Sequence, residues 1–231
     1  MSPIQSLPEI KNKSSFETIF NSEFENFIHR YPVLRELKND AHFALELSAQ
    51  SLQNNKKILT CGNGGSAADA EHIVGELLKG FLSQREYNDD EMIQILPNMS
   101  AADRSNYGKY LQKPLRAISL MGHPSFQSAY ANDKHPEYAL AQHILALGDK
   151  NEVLIAISTS GNSKNVLHCV RIAKGIGIKV IGLTGQTGGE LAKLADVCIK
   201  VPSNKVHEVQ EYHLPLYHFY CYVLEQFLFA K

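Results

Sequence analysis

The stretch Lys57-Ile58-Leu59-Thr60-Cys61-Gly62-Asn63-Gly64-Gly65-Ser66 (residues 57–66) carries the strongest fold signal in the chain. A short, mainly apolar run ends at a glycine, and a helical pattern begins near Ser66. Such a run is typical of a buried strand in a parallel sheet. The glycines allow a tight turn and close backbone approach. Backbone N–H groups at the start of the helix, together with the Ser66 hydroxyl, could hold an anion there.

The same turn matches neither GxGxxG nor GxxxxGK[ST], so it gives little support to a dinucleotide or nucleoside triphosphate site. The alternative interpretation is a plain Gly-rich connection between a strand and a helix. From this motif alone, that alternative and a phosphate site are equally good interpretations.

A second hydroxyl-rich turn, Ile157-Ser158-Thr159-Ser160-Gly161-Asn162-Ser163, also follows an apolar run and precedes a helical pattern. Its hydroxyl groups could each donate to a phosphate oxygen without adding charge. Ligands of open α/β sheets bind outside the carboxyl ends of the strands. A Ser-rich loop with Asn162 or Ser163 as the helix N-cap is the alternative. Two such turns in one sheet favour phosphate binding.

Working outward, short apolar runs alternate with helical patterns along most of the chain. Further strands are expected at 115–121, 153–157, 179–183 and 197–201, and helices at 136–147, 163–175 and 188–195. This alternation predicts an α/β fold with a doubly wound parallel sheet, covered by helices on both faces.

The ends of the chain and one internal segment depart from this alternation. Residues 1–55 read as an N-terminal helical arm with two long helices, and 207–229 reads as a long closing helix that Pro215 should kink or locally break. Residues 83–113 are polar and read as an insertion or a long loop, with a short helix around 100–111. We interpret residues 1–231 as one domain.

Two further patterns on helices could bind a metal ion or transfer protons. His72 and Glu76 are four residues apart and therefore lie on one helix face. Gln210 and His218 lie about two turns apart on the last helix, and imidazole and amide oxygen both bind metals. On spacing alone, the first pair is better interpreted as an exposed surface pair. The second is better interpreted as part of a polar helix that faces the core.

Composition narrows the class of protein. The 231 residues are 44% hydrophobic with a net charge of −1 and a pI near 6.8. These values predict a folded chain and give no electrostatic case for binding nucleic acid or an anionic membrane. No membrane span or secretory signal is visible, so a cytoplasmic protein is expected. The four cysteines form no CxxC pair and are expected to be reduced and buried.

In their order along the chain, the motifs resemble those of one family. They are GNGGSAADAEH (62–72), the HxxxE pair, AND (131–133), ISTSGNS (157–163), VIGLTG (180–185), GGELA (188–192) and VQE–H (209–218). Together they resemble the sugar isomerase (SIS) domain family, and within it the phosphoheptose isomerases. The resemblance runs from about Phe16 to the C-terminus, interrupted by 83–113. It implies a SIS-type, flavodoxin-like sandwich.

The resemblance also implies functional residues. Phosphate would be bound by Ser66, Ser158, Thr159, Ser160 and Ser163. Other substrate contacts would come from Asn63, Gly64, Gly65, Asn132, Asp133 and Gln210. The positions that bind zinc in characterised members match His72, Glu76, Gln210 and His218. Glu76 and His218 also match the residues assigned to acid–base catalysis.

By resemblance, the expected function is conversion of sedoheptulose 7-phosphate to D-glycero-D-manno-heptose 7-phosphate through an enediol. The enzyme would be a homotetramer with shared active sites, supplying surface polysaccharide such as lipopolysaccharide. Members commonly carry Gly-Arg after the glutamate, where this chain has Lys79-Gly80. A phosphate-binding arginine would then be absent, or would be supplied by Arg85 or Arg104, or replaced by Lys79. The alternatives are an isomerase of another phosphosugar and a non-catalytic SIS binding module, similar to replication-initiator-associating proteins.

Overall fold

The structure is a computed structural model that describes residues 10–229. Residues 1–9, which belong to the expected N-terminal arm, lie outside the described residues. The helices are α1 (Lys13–Arg30), α2 (Lys38–Gln53), α3 (Gly65–Leu78), α4 (Asp89–Ile95), α5 (Ala101–Gly108), α6 (Pro124–Asp133), α7 (Ala139–Leu147), α8 (Lys164–Ile176), α9 (Leu191–Leu194) and α10 (Val206–Phe229). The strands are β1 (Ile58–Cys61), β2 (Ala117–Ser119), β3 (Val153–Ile157), β4 (Lys179–Thr184) and β5 (Val197–Lys200).

The five strands form one parallel sheet in the order β2-β1-β3-β4-β5. The chain leaves β1 toward β2 on one side and continues toward β3 on the other. The order reverses there, so β1 and β3 flank the point at which ligands of doubly wound sheets bind. The predicted fold class is confirmed.

Alternate residues of the strands pack on opposite faces of the sheet. On one face, Ile58, Ile155 and Ile181 pack with apolar residues of α1, α2, α3 and α10. On the other face, Leu59, Leu154 and Val180 pack with α7, α8 and α9. Because both faces are covered, a central strand such as β3 reads as a short apolar run rather than an alternating one.

The segment 83–113 is helical in two places rather than a simple loop. The helix expected around 100–111 is present as α5, with the Ser100 hydroxyl accepting from the Asp103 amide. The sequence reading missed α4, although Asn88 and Glu91 form a reciprocal capping box at its start. It also missed α6, which buries no residue and so has no apolar stripe to read.

The closing helix α10 is continuous from Val206 to Phe229 with Pro215 inside it. It packs beside α1, α2 and α3. Proline has no N–H, so the carbonyl group of Glu211 lacks its usual helical partner at this turn.

The four cysteines are free and buried, as expected. Within residues 10–229, no helix is both long and apolar enough to cross a bilayer.

One buried histidine predicts acid sensitivity of the fold. Burial lowers the pKa of His213 to about 4, although its bond to the Thr184 carbonyl opposes the shift. In the unfolded chain a histidine titrates near pH 6.5. The unfolded state therefore binds the additional proton as the pH falls from about 6.5 to about 4, and the folded state loses stability over that range.

We expect this histidine to contribute a loss of about 3 kcal/mol in the free energy of unfolding between pH 7 and pH 4. His213→Met, which keeps an apolar core without the titrating group, should unfold at lower pH than the unsubstituted chain. Urea unfolding at pH 7 and pH 4.5 measures both. Equal acid sensitivity of the two proteins would contradict the assignment.

Candidate active site

The two hydroxyl-rich turns meet at the carboxyl edge of the sheet. Gly62–Gly64 follow β1, and Ser158–Ser163 follow β3, the strand paired with β1 in parallel register. Parallel neighbours end at the same edge, so the two turns face one cleft.

An asparagine pair ties the two turns together. Nδ2 of Asn63 donates to Oδ1 of Asn165 at 2.9 Å, and Nδ2 of Asn165 donates to Oδ1 of Asn63 at 2.8 Å. Asn63 was predicted as a substrate contact, and here it also fixes one turn against the other. Asn165 was missed by the sequence reading, since a lone asparagine in the first turn of a helix has no distinguishing pattern.

The hydroxyl groups of the second turn lie close together. The Ser158 and Ser163 hydroxyl oxygens lie 3.0 Å apart, and the backbone N–H of Asn162 donates to Ser160 Oγ at 3.2 Å. Ser158 is buried, whereas Thr159 and Ser163 are partly exposed and Ser160 is exposed. This turn offers hydroxyl groups to solvent without a counter-charge among them, as a neutral phosphate cradle requires.

Helices α3 and α10 run side by side and bring the other predicted residues into the same region. At the start of α3, a Cβ added to Gly65 would lie 2.5 Å from Nε2 of Gln210, so a larger residue there would displace that amide. About two turns further along α3, Nδ1 of His72 lies 2.9 Å from the Tyr217 hydroxyl of α10. Gln210 is thus placed near the glycine turn and His218 near His72.

The predicted catalytic residues Glu76 and His218 lie together with His72. Nε2 of His72 lies 3.2 Å from Oε1 of Glu76, and the rings of His72 and His218 have centroids 5.1 Å apart. Lys79 donates to Oε2 of Glu76 at 2.7 Å. Tyr217, which sequence reading missed, orients His72 through its other ring nitrogen, as outer partners of functional histidines do.

Burial raises the pKa of Glu76, but hydrogen bonds and charges from Lys79 and His72 together lower it below its ordinary value. Burial and the neighbouring His72 lower the pKa of His218. At neutral pH, Glu76 is therefore a carboxylate and His218 is neutral. A ready proton acceptor next to a group that can exchange protons suits acid–base chemistry.

The donor atoms of the predicted metal set suit zinc, because imidazole nitrogen and carboxylate oxygen are its usual ligands beside thiolate. Among residues 10–229, however, no group of three or more His, Cys, Asp or Glu side chains is arranged to hold a metal ion. His72 and Glu76 are hydrogen-bonded to each other instead. A metal ion would have to replace that hydrogen bond.

Asn132 and Asp133 lie at the C-terminal end of α6, beyond β2. Both are exposed, and the Asn132 amide donates to the Asp133 carboxylate at 2.9 Å. They stay available to a ligand.

The expectation that Arg85 supplies a phosphate-binding guanidinium is wrong. Arg85 is buried in an ion pair with Glu225, with no exposed side-chain surface. Arg104 donates to the carbonyl groups of Leu96 and Met99 and so closes the loop between α4 and α5. Lys79 pairs with Glu76 on α3 rather than with the serine turn.

Comparisons with known proteins agree with this architecture. Two family models, both described as SIS domain, match residues 23–113 and 128–223. The phosphoheptose isomerase of Helicobacter pylori (strain Shi470) is 38% identical over 193 residues, covering 84% of this chain and 86% of that protein. That of Aneurinibacillus thermoaerophilus is 35% identical over 200 residues, covering 86% and 85%. The structure of phosphoheptose isomerase from Neisseria gonorrhoeae matches with a TM-score of 0.68 and 31% identity, covering 89% of this chain and 96% of that one.

Proposed function

The chain belongs to the phosphoheptose isomerase family of SIS-domain proteins, and on this premise we propose that it interconverts sedoheptulose 7-phosphate and D-glycero-D-manno-heptose 7-phosphate. The observation that carries the proposal is the cluster of His72, Glu76 and His218 beside the two hydroxyl-rich turns. The chain thus combines an acid–base pair with turns suited to binding a phosphate group. A non-catalytic binding module has no need of that pair.

The reaction moves a proton between C1 and C2 of the sugar through an enediol. Glu76, ionised at neutral pH, takes the proton from carbon and returns it to the neighbouring carbon. His218 exchanges the second proton with the sugar oxygens. During turnover, the Lys79 ammonium must move away from Glu76 so that the carboxylate can accept a proton. The Lys79 side chain is exposed and can therefore move.

The phosphate group would sit at the far end of the substrate. Ser66, Ser158, Thr159, Ser160 and Ser163 bind it in this proposal, with backbone N–H groups of the two turns. Anchoring the phosphate holds the reacting carbons in register with Glu76, which converts binding energy into rate. The Asn63–Asn165 pair keeps the two halves of the cradle together.

The proposal includes one zinc ion per subunit, held by His72, Glu76, Gln210 and His218. When bound, zinc would polarise the sugar carbonyl as a Lewis acid. The donor types support this, and the Tyr217 hydroxyl group on His72 Nδ1 leaves Nε2 as the ligating nitrogen.

We place the enzyme in the cytoplasm as a homotetramer that supplies heptose for surface polysaccharide such as lipopolysaccharide. The family resemblance supports this. An open cavity of about 330 Å³ lies beside His218. It is lined by Glu23, Arg30, Tyr31, Phe81, Leu82, Pro215, His218, Phe219 and Tyr222. Light scattering of the purified protein tests the subunit number.

The function is tested by assaying sedoheptulose 7-phosphate isomerisation as purified, after chelation, and after adding zinc back. We expect turnover that chelation removes and zinc restores. Turnover that chelation does not change would support the proposed reaction and contradict the proposed zinc site. A hexulose 6-phosphate assayed beside it tests the alternative phosphosugar. No turnover on either sugar would contradict the proposal.

A further inference from the structure

A buried ion pair joins α10 to the chain that leaves α3. Nε of Arg85 lies 2.7 Å from Oε1 of Glu225, and neither side chain has exposed surface. Both residues lie outside the site described above, and acid–base chemistry does not use them.

Glu225 also organises the turn that follows α3. Its carboxylate accepts from the amide nitrogens of Phe81 and Leu82, each at 2.7 Å, and of Ser83 at 3.0 Å. The turn starts at Gly80. A side chain does not fit at this position, because a Cβ there would lie 1.9 Å from the Ser83 carbonyl oxygen. Three consecutive N–H groups thus donate to one carboxylate, so a side chain of α10 fixes this part of the turn.

Arg85 completes the arrangement by capping α3. Its Nη1 donates to the carbonyl oxygen of Leu77 at 2.9 Å, and Nη2 lies 3.5 Å from that of Glu76. The last carbonyl groups of a helix lack intrahelical partners, and a cation there also complements the helix dipole. The guanidinium lies over the Phe229 ring, 4.8 Å from its centroid.

These contacts reach both halves of the acid–base pair. Arg85 binds the backbone of the helical turn that carries Glu76. Glu225 fixes Phe81, whose ring lies 5.6 Å from that of His218. Burying two charges costs desolvation free energy that their attraction largely only offsets. Stability alone is therefore a poor account of the pair.

We propose, resting on the proposed function, that Arg85 and Glu225 are positioning residues that set the distance between Glu76 on α3 and His218 on α10. They act through the α3 end and the Phe81 turn and do not touch substrate. Loss of either contact moves the acid–base pair out of register, while the serine turns remain in place.

The test uses the full chain with Arg85→Lys, Arg85→Met and Glu225→Gln. Glu152→Gln is the matched control, because Glu152 is also buried and paired with Lys57 at 2.6 Å, but lies before β3 at the opposite edge of the sheet. We expect kcat to fall roughly 10- to 100-fold in Arg85→Met and Glu225→Gln, with KM changed by less than about threefold. Arg85→Lys, which keeps the charge, should retain more kcat than Arg85→Met.

Thermal stability is measured alongside, because Glu225→Gln leaves a buried guanidinium without its counter-charge and could unfold the chain. In that event the two Arg85 variants decide the question. Loss of kcat in these variants, with kcat unchanged in a similarly destabilised Glu152→Gln, supports the positioning role. Unchanged kcat in folded variants, or loss in step with stability in all four, would overturn it.

A second readout keeps this result separate from failure of the proposed function. Histidine NMR follows the ring protons of His218, which sense the nearby Phe81 ring whether or not the protein turns over a heptulose. We expect these resonances to shift in the Arg85 variants and to stay in place in Glu152→Gln. Unmoved His218 resonances in every Arg85 variant would overturn the proposal even for an inactive protein.

Discussion

Glu76→Gln is expected to lower kcat by roughly 10²- to 10⁴-fold, the range that one positioned acid–base group contributes. The amide keeps the size of the side chain and an oxygen that can accept from Lys79, but it cannot take a proton from carbon. Because the serine turns are untouched, substrate affinity should change little. Steady-state kinetics give kcat, and equilibrium binding of sedoheptulose 7-phosphate gives the affinity.

The control lies on the same helix. Glu71 is exposed, five residues before Glu76, so Glu71→Gln removes one carboxylate from α3 without altering the cluster. It should retain full kcat. Full activity in Glu76→Gln would show that Glu76 is not the base. A large loss of substrate binding would instead assign it to holding the ligand.

Gly161→Ala is expected to disable the phosphate cradle and to destabilise the fold. Gly161 has φ +67°, and a Cβ there would lie 2.0 Å from the Gly188 carbonyl oxygen in the turn after β4. A non-glycine residue in such a backbone conformation costs about 1–3 kcal/mol before the clash is counted. The turn must shift, and Ser158, Thr159 and Ser160 move with it. We expect KM to rise by at least about tenfold, the effect of about 1.4 kcal/mol of lost binding.

Gly175→Ala is the matched control for this substitution. Gly175 lies in α8 with negative φ, and a Cβ added there would meet nothing within 4 Å. Alanine should leave KM unchanged and stabilise the helix by about 0.4–1 kcal/mol. Thermal unfolding and KM, measured on both variants, provide the comparison. Gly161→Ala with an unchanged KM would show that phosphate is bound elsewhere.

Arg85 shows why a motif position does not by itself assign a role. The family resemblance made it a candidate phosphate ligand, because arginine is common near this place in the chain. Its actual partners are Glu225, 140 residues away, and the end of α3. No local pattern reports a pairing at that separation, and a buried charge is identified only once its counter-charge is in place.

The sequence by itself determined the layered α/β fold, the edge of the sheet that holds the two candidate phosphate turns, and the family. Apolar runs such as Val153–Ile157 need cover on both faces, and glycines such as Gly64 and Gly161 mark turns with positive φ, which other residues rarely adopt. Only the tertiary structure decided that Asn165 joins the two turns, that Tyr217 holds His72, and that Arg85 caps the helix of Glu76. The physical reason is range: periodicity and turn chemistry act between neighbours in the chain, whereas these contacts depend on the packing of α3, α8 and α10 around one sheet.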